Sequence, residues 1–549
     1  MSSLIPTTAP FNEEQRAWLN GFFSGLMGIQ ADADANAVLA ASGLTTNTLP
    51  IPEAVEEEEE FPWHDDSLPI VDRMEMAEGK PLERRLMAAM AQLDCGSCGY
   101  VCQTYAEAIA SGEEGNLTLC SPGGKETKQM VKNLLKEKEG GGEAGNRITP
   151  KTNGQQTNGQ KTNGQKTNGQ KTNGAVSTPY GRSNPYSAKL VQSRPLNKEG
   201  SAKDTRHVEI DLAGSGLKYE VGDALGVYPS NCSELVADVI DRIGAATDLP
   251  VTSSSGTKSL REVLQDDYCL KEPSDELLEA ILGHAIDGDT KETLTTMLDE
   301  GVPDGFDVLD VLELTDCRSL TATEFLETLE PLNPRLYSIA SSMKCVGDQV
   351  HLTVGKVVYE REGRVRKGVA STMLADRIDE GGSLRVFVQP NHGGFTVPAD
   401  PNTPMIMVGP GTGIAPFVAF LQERHAAKSR GDNWLLFGDQ HEAFDFLYQD
   451  ELQDYVESGL LTRLDTAFSR DGEQKVYVQD RMRQNAAELW KWLEAGAHFY
   501  VCGDASRMAA DVDRALVSVA QEQGGLSADE AKAYVKKLAD DKRYVRDVY

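Results

Sequence analysis

Residues 405–425 read MIMVGPGTGIAPFVAFLQERH. Four apolar residues suit a short buried strand, Gly409-Pro410-Gly411-Thr412-Gly413 a tight turn, and the run from Ala415 a helix. Glycines between a strand and a helix let a dinucleotide pyrophosphate approach backbone N–H groups at the helix start. Toward the C-terminal end, NWLLFG (433–438) and HFYVCG (498–503) repeat the alternation of apolar strand and helix. That rhythm predicts an α/β, Rossmann-like domain with a doubly wound parallel sheet over 401–549.

Toward the N-terminal end the texture changes. From about Tyr180, segments such as HVEIDLAG (207–214) and HLTVGKVVYE (351–360) read as strands, interrupted by a helical insertion at about 232–328. They predict a separate domain over 180–400. Within it, Arg335-Leu336-Tyr337-Ser338 combines an arginine suited to a pyrophosphate, an aromatic face for a flavin ring and a hydroxyl able to reach flavin N5. GVASTML (368–374) follows, where small residues before a helix start would cradle phosphate. In the C-terminal domain, Ser469-Arg470 with Lys475, Tyr477 and Gln479 supplies the cations and hydroxyls that an adenosine 2′-phosphate requires. NADPH is therefore expected rather than NADH.

Upstream lies DCGSCGYVCQTYAEAIASGEEGNLTLCSPGG (94–124), with Cys95, Cys98, Cys102 and Cys120. Four thiolates in a glycine-rich loop and around a helix can surround one soft metal site, either an iron-sulfur cluster or zinc. The segment 81–136 is expected to be a small α-helical iron-sulfur domain. Residues 137–179 hold the repeat KTNGQ, which has no large apolar residue to bury and is expected to be a flexible tether. Residues 1–80 should hold an amphipathic helix with Trp18, Phe22, Leu26 and Met27 on one side, followed by the acidic run Glu56 to Glu60.

The chain has 549 residues, which suggests two to four domains, and its 40% hydrophobic and 25% charged residues fit a globular enzyme. With 85 acidic against 54 basic side chains the net charge is -31, which repels nucleic acid and anionic membranes. No secretory signal or long apolar run is evident, so the chain is expected in the cytoplasm, where thiols stay reduced.

The ordered set YEVGDALGVYPSN, PRLYSIASS, GVASTML, VGPGTGIAPF, FSRD, KVYVQ, YVCGDA and RYVRDVY resembles the ferredoxin-NADP reductase module of the diflavin reductases over 180–549. Within that family it is most similar to the NADPH-sulfite reductase flavoproteins. The resemblance implies an antiparallel β-barrel FAD domain with a helical connecting insertion, then the NADPH domain. It implies that Arg335, Tyr337, Ser338, Thr353, Val354, Tyr359, Gly368, Val369, Ala370 and Ser371 hold FAD. It implies that Gly409, Gly411, Thr412, Gly413, Ser469, Arg470, Lys475, Tyr477, Gln479 and Asp511 hold NADPH. Ser338, Cys502 and Asp547 would assist hydride transfer, and Tyr549 would cover the flavin. The cysteine segment resembles a small 4Fe-4S domain, with three residues instead of four between Cys98 and Cys102. The family's flavodoxin domain has no counterpart, and the cluster would relay electrons to a haemoprotein, a sulfite reductase beta-like subunit. Ferredoxin, flavodoxin or nitrite reductase remain alternative acceptors, and a zinc-bound docking module is the alternative reading of the cysteines.

Overall fold

The computed structural model describes residues 61–64, 68–92, 100, 102–112, 114–115, 117, 119–120, 123–140 and 180–549, apart from 254–255, 316–319, 392 and 506. The expected amphipathic helix, the acidic run, the repeat over 141–179, Cys95 and Cys98 lie outside the described residues.

The described residues between 61 and 140 are largely helical. Helices Ile70–Met76, Leu82–Ala89, Cys102–Ser111 and Gly124–Gly140 bury Leu86, Met87, Tyr105, Ile109, Val131 and Leu134. Thr127 Oγ1 donates to the Ala89 carbonyl at 2.7 Å, tying the last helix to the second. Helical structure thus starts before 81, and Trp63 is fully buried ahead of it with Lys80 over its ring. The last helix also runs past 136 to Gly140, because Val131 and Leu134 anchor its apolar face.

The next domain is built on β1 (Tyr186–Pro195), β2 (Thr205–Asp211) and β3 (Ala224–Tyr228). An insertion follows, with the hairpin β4 (Pro250–Ser253) and β5 (Gly256–Ser259) and helices from Ser233–Ile243 to Ala322–Glu327. Its helix starts are marked by reciprocal caps, Ser259 with Glu262, Asp307 with Asp310 and Thr321 with Glu324. The chain then returns as β6 (Arg335–Ser338), β7 (Gln349–Gly355), the hairpin β8 (Val358–Arg361) and β9 (Arg364–Lys367), and β10 (Ser383–Gln389). The sheet order β6-β3-β10-β1-β2-β7 is antiparallel throughout. A bridge from Ile339 to Leu352, with Ala340 N–H donating to the His351 carbonyl at 2.8 Å, joins the two edges and closes a barrel. Val208, Ile210, Val350, Leu352 and Val354 fill it.

The C-terminal domain is a five-stranded parallel sheet of β11 (Met405–Val408), β12 (Asn433–Asp439), β13 (Arg463–Phe468), β14 (His498–Gly503) and β15 (Tyr544–Val548), in the order β13-β12-β11-β14-β15. Helices cover both faces, one core gathering Phe417, Phe420 and Tyr500, the other Leu489, Leu516 and Val535. The order runs outward in both directions from β11, so the glycine turn after β11 stands at the topological switch point, where such sheets bind ligands.

Candidate functional site

Two neighbourhoods collect the expected residues. The first is a cavity of about 1400 Å³ whose wall includes Arg335, Tyr337, Tyr359, Gly368 and Ser371. Gly368 is required where it stands: a Cβ there would lie 2.5 Å from Ser371 Oγ and 2.9 Å from Val357 Cβ. The Val357 N–H donates to Ser371 Oγ at 3.2 Å, holding the turn against the strand. Arg335 donates to the Asn333 carbonyl at 2.9 Å. Arg182 and Lys367 add cations to the wall, and Cys120 of the helical module lines it too. Lys367 precedes Gly368, so its place beside that turn could have been noticed in the sequence.

Thr353 and Val354, expected beside FAD, do not present side chains to this wall. Alternate residues of β7 face opposite ways. Val354 is buried in the barrel core, while Thr353 Oγ1 shares a 2.7 Å hydrogen bond with the Tyr448 hydroxyl of the C-terminal domain. Gly355, next along β7, does line the cavity.

The second neighbourhood lies on the seam between barrel and parallel sheet. Ser338 Oγ donates to Asp547 Oδ2 at 2.7 Å, and Cys502 Sγ lies 3.9 Å from the same oxygen. Strand register brings these groups together, since Cys502 and Asp547 are direct partners across β14 and β15. Burial raises the Asp547 carboxyl above the usual range, against the lowering by its bonds from Ser338 and Cys502. Burial also pushes the Cys502 thiol well up, with the Asp547 charge adding to it. Cys502 therefore stays a neutral thiol at physiological pH, suited to hydrogen bonding and unsuited to nucleophilic attack. The Tyr549 ring is exposed and its hydroxyl shares a 2.9 Å hydrogen bond with Thr412 Oγ1 of the glycine turn.

That turn is packed to backbone contact. A Cβ on Gly413 would sit 2.1 Å from the Cys502 carbonyl oxygen, and one on Gly409 2.6 Å from the Phe417 ring. Gly411 adopts φ of 57°, in the left-handed region. At the C-terminal end of β13, Ser469 Oγ donates to the Asp439 carbonyl, and Arg470 and Lys475 are exposed with no ion pair among the described residues. Tyr477 is exposed at the start of helix Val478–Gln484, and Gln479 donates to Asp511 at 3.2 Å. Asp439, the acid at the end of β12, is instead engaged by Lys203 of the barrel.

The seam has further polar ties that the sequence did not reveal. Asp445 receives Asn197 at 2.9 Å and Ser201 at 2.5 Å. His207 Nδ1 lies 2.9 Å from the Tyr448 hydroxyl. His207, Glu209 and His351 bring potential ligand atoms within 4.8 Å of one another. Burial holds His207 down to about 3 and His351 down to about 4, with Arg194 lowering both. A nearby guanidinium opposes a bound cation, so this cluster reads as part of the interdomain bonding. No described helix is long and apolar enough to cross a membrane.

Residues 178–373 match the family described as FAD binding domain, and residues 407–514 match the oxidoreductase NAD-binding domain. The chain is 45% identical over 374 residues to the sulfite reductase [NADPH] flavoprotein alpha-component of Mannheimia succiniciproducens, covering 67% of this chain and 62% of the relative. The Vibrio cholerae protein of the same name is 47% identical over 375 residues, covering 67% and 60%. That of Bacillus subtilis is 44% identical over 375 residues, covering 67% and 62%. This chain thus spans less than two thirds of the length of these relatives. It joins an FAD binding domain to an oxidoreductase NAD-binding domain and is a homologue of the sulfite reductase flavoprotein alpha-components.

Proposed function

We propose that the chain is an NADPH-dependent flavoprotein oxidoreductase that passes electrons through a 4Fe-4S centre to a haemoprotein of the sulfite reductase type. When bound, the nicotinamide supplies a hydride, the flavin takes it up and returns single electrons, and the iron-sulfur centre conducts them one at a time.

The residues fit these groups. The crowded Gly368, with Arg182, Arg335 and Lys367 on the same wall, suits the FAD pyrophosphate, and Tyr337 and Tyr359 offer aromatic faces. The glycine turn after β11 stands at the switch point of the parallel sheet, where a pyrophosphate would lie, while the unpaired Arg470 and Lys475 suit a 2′-phosphate. Ser338, Cys502 and Asp547 lie where the two cofactor domains meet, and their role is to orient the reacting rings and hold a proton at the Asp547–Ser338 bond. The exposed Tyr549 ring is placed to shield that junction until the nicotinamide enters.

For the centre, the donor set is the soft thiolates of Cys95, Cys98, Cys102 and Cys120. Cys102 is buried at the start of its helix. Gly123 packs against Cys120, since a Cβ there would lie 3.1 Å from its sulfur. The observation that carries the relay reading is that Cys120 shares a cavity wall with Arg335, Tyr337 and Gly368.

Anaerobic purification followed by FAD, iron and sulfide analysis tests the reading. FAD with four irons and four sulfides per chain is expected, whereas zinc without sulfide would reject the relay. Replacing Cys98→Ala should abolish haemoprotein reduction and leave NADPH-driven ferricyanide reduction intact. Unimpaired haemoprotein reduction in that variant would also overturn the relay.

A further inference from the structure

The helix Gly124–Gly140 meets the barrel's insertion through charge. Lys132 Nζ lies 2.6 Å from Asp275 Oδ2, and Lys128 Nζ lies 3.9 Å from Glu330 Oε1. The two lysines are four residues apart, so they project from the same helix face. Burial, which lowers the Lys132 ammonium, is outweighed by Asp275 with Glu276 and Glu330, which hold it above its usual range. Acidic side chains far outnumber basic ones across 232–328, which makes the insertion complementary to a lysine stripe.

The consequence for the cavity is direct. Leu119, Cys120, Gly124 and Thr127 form one side of it, and Arg335 and Gly368 form another. Moving the helical module away would open that side to water.

We infer that the helical module is a releasable cover for the FAD cavity, docked on the insertion through Lys128 and Lys132 against Glu330 and Asp275. The proposal rests on the reading that the cavity takes FAD. The contact is suited to release because its ion pairs are partly exposed and sensitive to salt. Residues 141–179 connect the module covalently to the barrel, so a freed module returns at an effective concentration on the order of millimolar. Docked, the module keeps the Cys120 loop at the cavity; released, it can present that loop to another protein.

The test uses the full chain and two readouts that need no turnover. Zero-length carbodiimide coupling followed by peptide mass spectrometry should join Lys128 to Glu330 at low salt, and the yield should fall severalfold at about 0.5 M salt. Lys132→Glu should lower that coupling severalfold, and Lys132→Glu combined with Asp275→Lys should restore it. FAD release, followed by the rise in flavin fluorescence, should be faster in Lys132→Glu and return to the parental rate in the exchanged pair. If Lys128 and Glu330 fail to couple, or couple equally in all three proteins, the dock is wrong. If coupling behaves as expected while FAD release is unchanged, the module docks but does not cover the cavity, and the proposal fails. If coupling behaves as expected and the protein carries no FAD, the cofactor reading fails while the dock stands.

Discussion

The seam between barrel and parallel sheet and the contact between helical module and insertion join neighbouring parts of one chain by different means. Besides ion pairs such as Arg194 with Glu451 and Lys203 with Asp439, the seam has short hydrogen bonds among buried or half-buried groups: Ser338 with Asp547, Thr353 and His207 with Tyr448, and Asn197 with Asp445. The module contact relies on partly exposed lysine-carboxylate pairs. Buried hydrogen bonds fix geometry because leaving one unmade is expensive, whereas exposed ion pairs contribute little and yield to salt. On the proposed function, the difference matches two tasks. Hydride transfer needs the two rings held in one alignment, while delivery of electrons to a partner needs a piece that can move.

The largest effect should come from the seam's backbone. Gly413→Val drives side-chain atoms into the Cys502 carbonyl, so NADPH-driven ferricyanide reduction should fall by about 100-fold or more with FAD still bound. Activity within a few-fold of the parent would show that the turn can yield.

Acid should come next. The folded-state value of His207 is depressed to about 3, so the unfolded chain binds a proton there that the folded chain does not. The stability from keeping it neutral is present above about pH 6.5 and is lost as pH falls toward 3. Urea unfolding should lose about 2 kcal/mol between pH 6.5 and 5 from this group. His207→Gln should remove that share of the slope and leave the share from His351, and an unchanged slope would take His207 out of the seam's account.

Arg470→Ala should raise KM for NADPH by roughly 10-fold and leave KM for NADH unchanged, since a single charge-assisted contact is worth about 1.5 kcal/mol. Equal loss for both nucleotides would assign Arg470 to general packing. The smallest effect should be on the module contact: Lys132→Ala should change global stability by less than about 1 kcal/mol, read from thermal unfolding of the parallel sheet and barrel.

The strand, glycine turn and helix at 405–425 were legible because each local signal agreed with its neighbours. The small-residue turn at Gly368, leading into a helix, was legible for the same reason. Ser338, Cys502 and Asp547 belong to β6, β14 and β15 in two domains, so no periodicity could bring them together and only likeness to a family suggested them. The partner of the Thr353 hydroxyl was hidden, because Tyr448 lies 95 residues away. Tyr448 itself gave no local sign, since a tyrosine at φ of 55° is unusual and is held there by its tertiary partners. The module's position was equally hidden, because Lys132 and Asp275 are 143 residues apart.

The pairing of β14 with β15 carries a constraint for anyone recombining these domains. Cys502 faces Asp547 only because Phe499 is aligned with Tyr544. Adding or deleting one residue in 541–543 would shift that alignment by one and send each side chain of the strand to the opposite surface. Arg546 or Val548 would then stand across from the thiol, and Ser338 would lose its acceptor. A chimera that exchanges the last strand with that of a relative must therefore preserve the spacing between 540 and 544, even where the residues themselves are freely replaced.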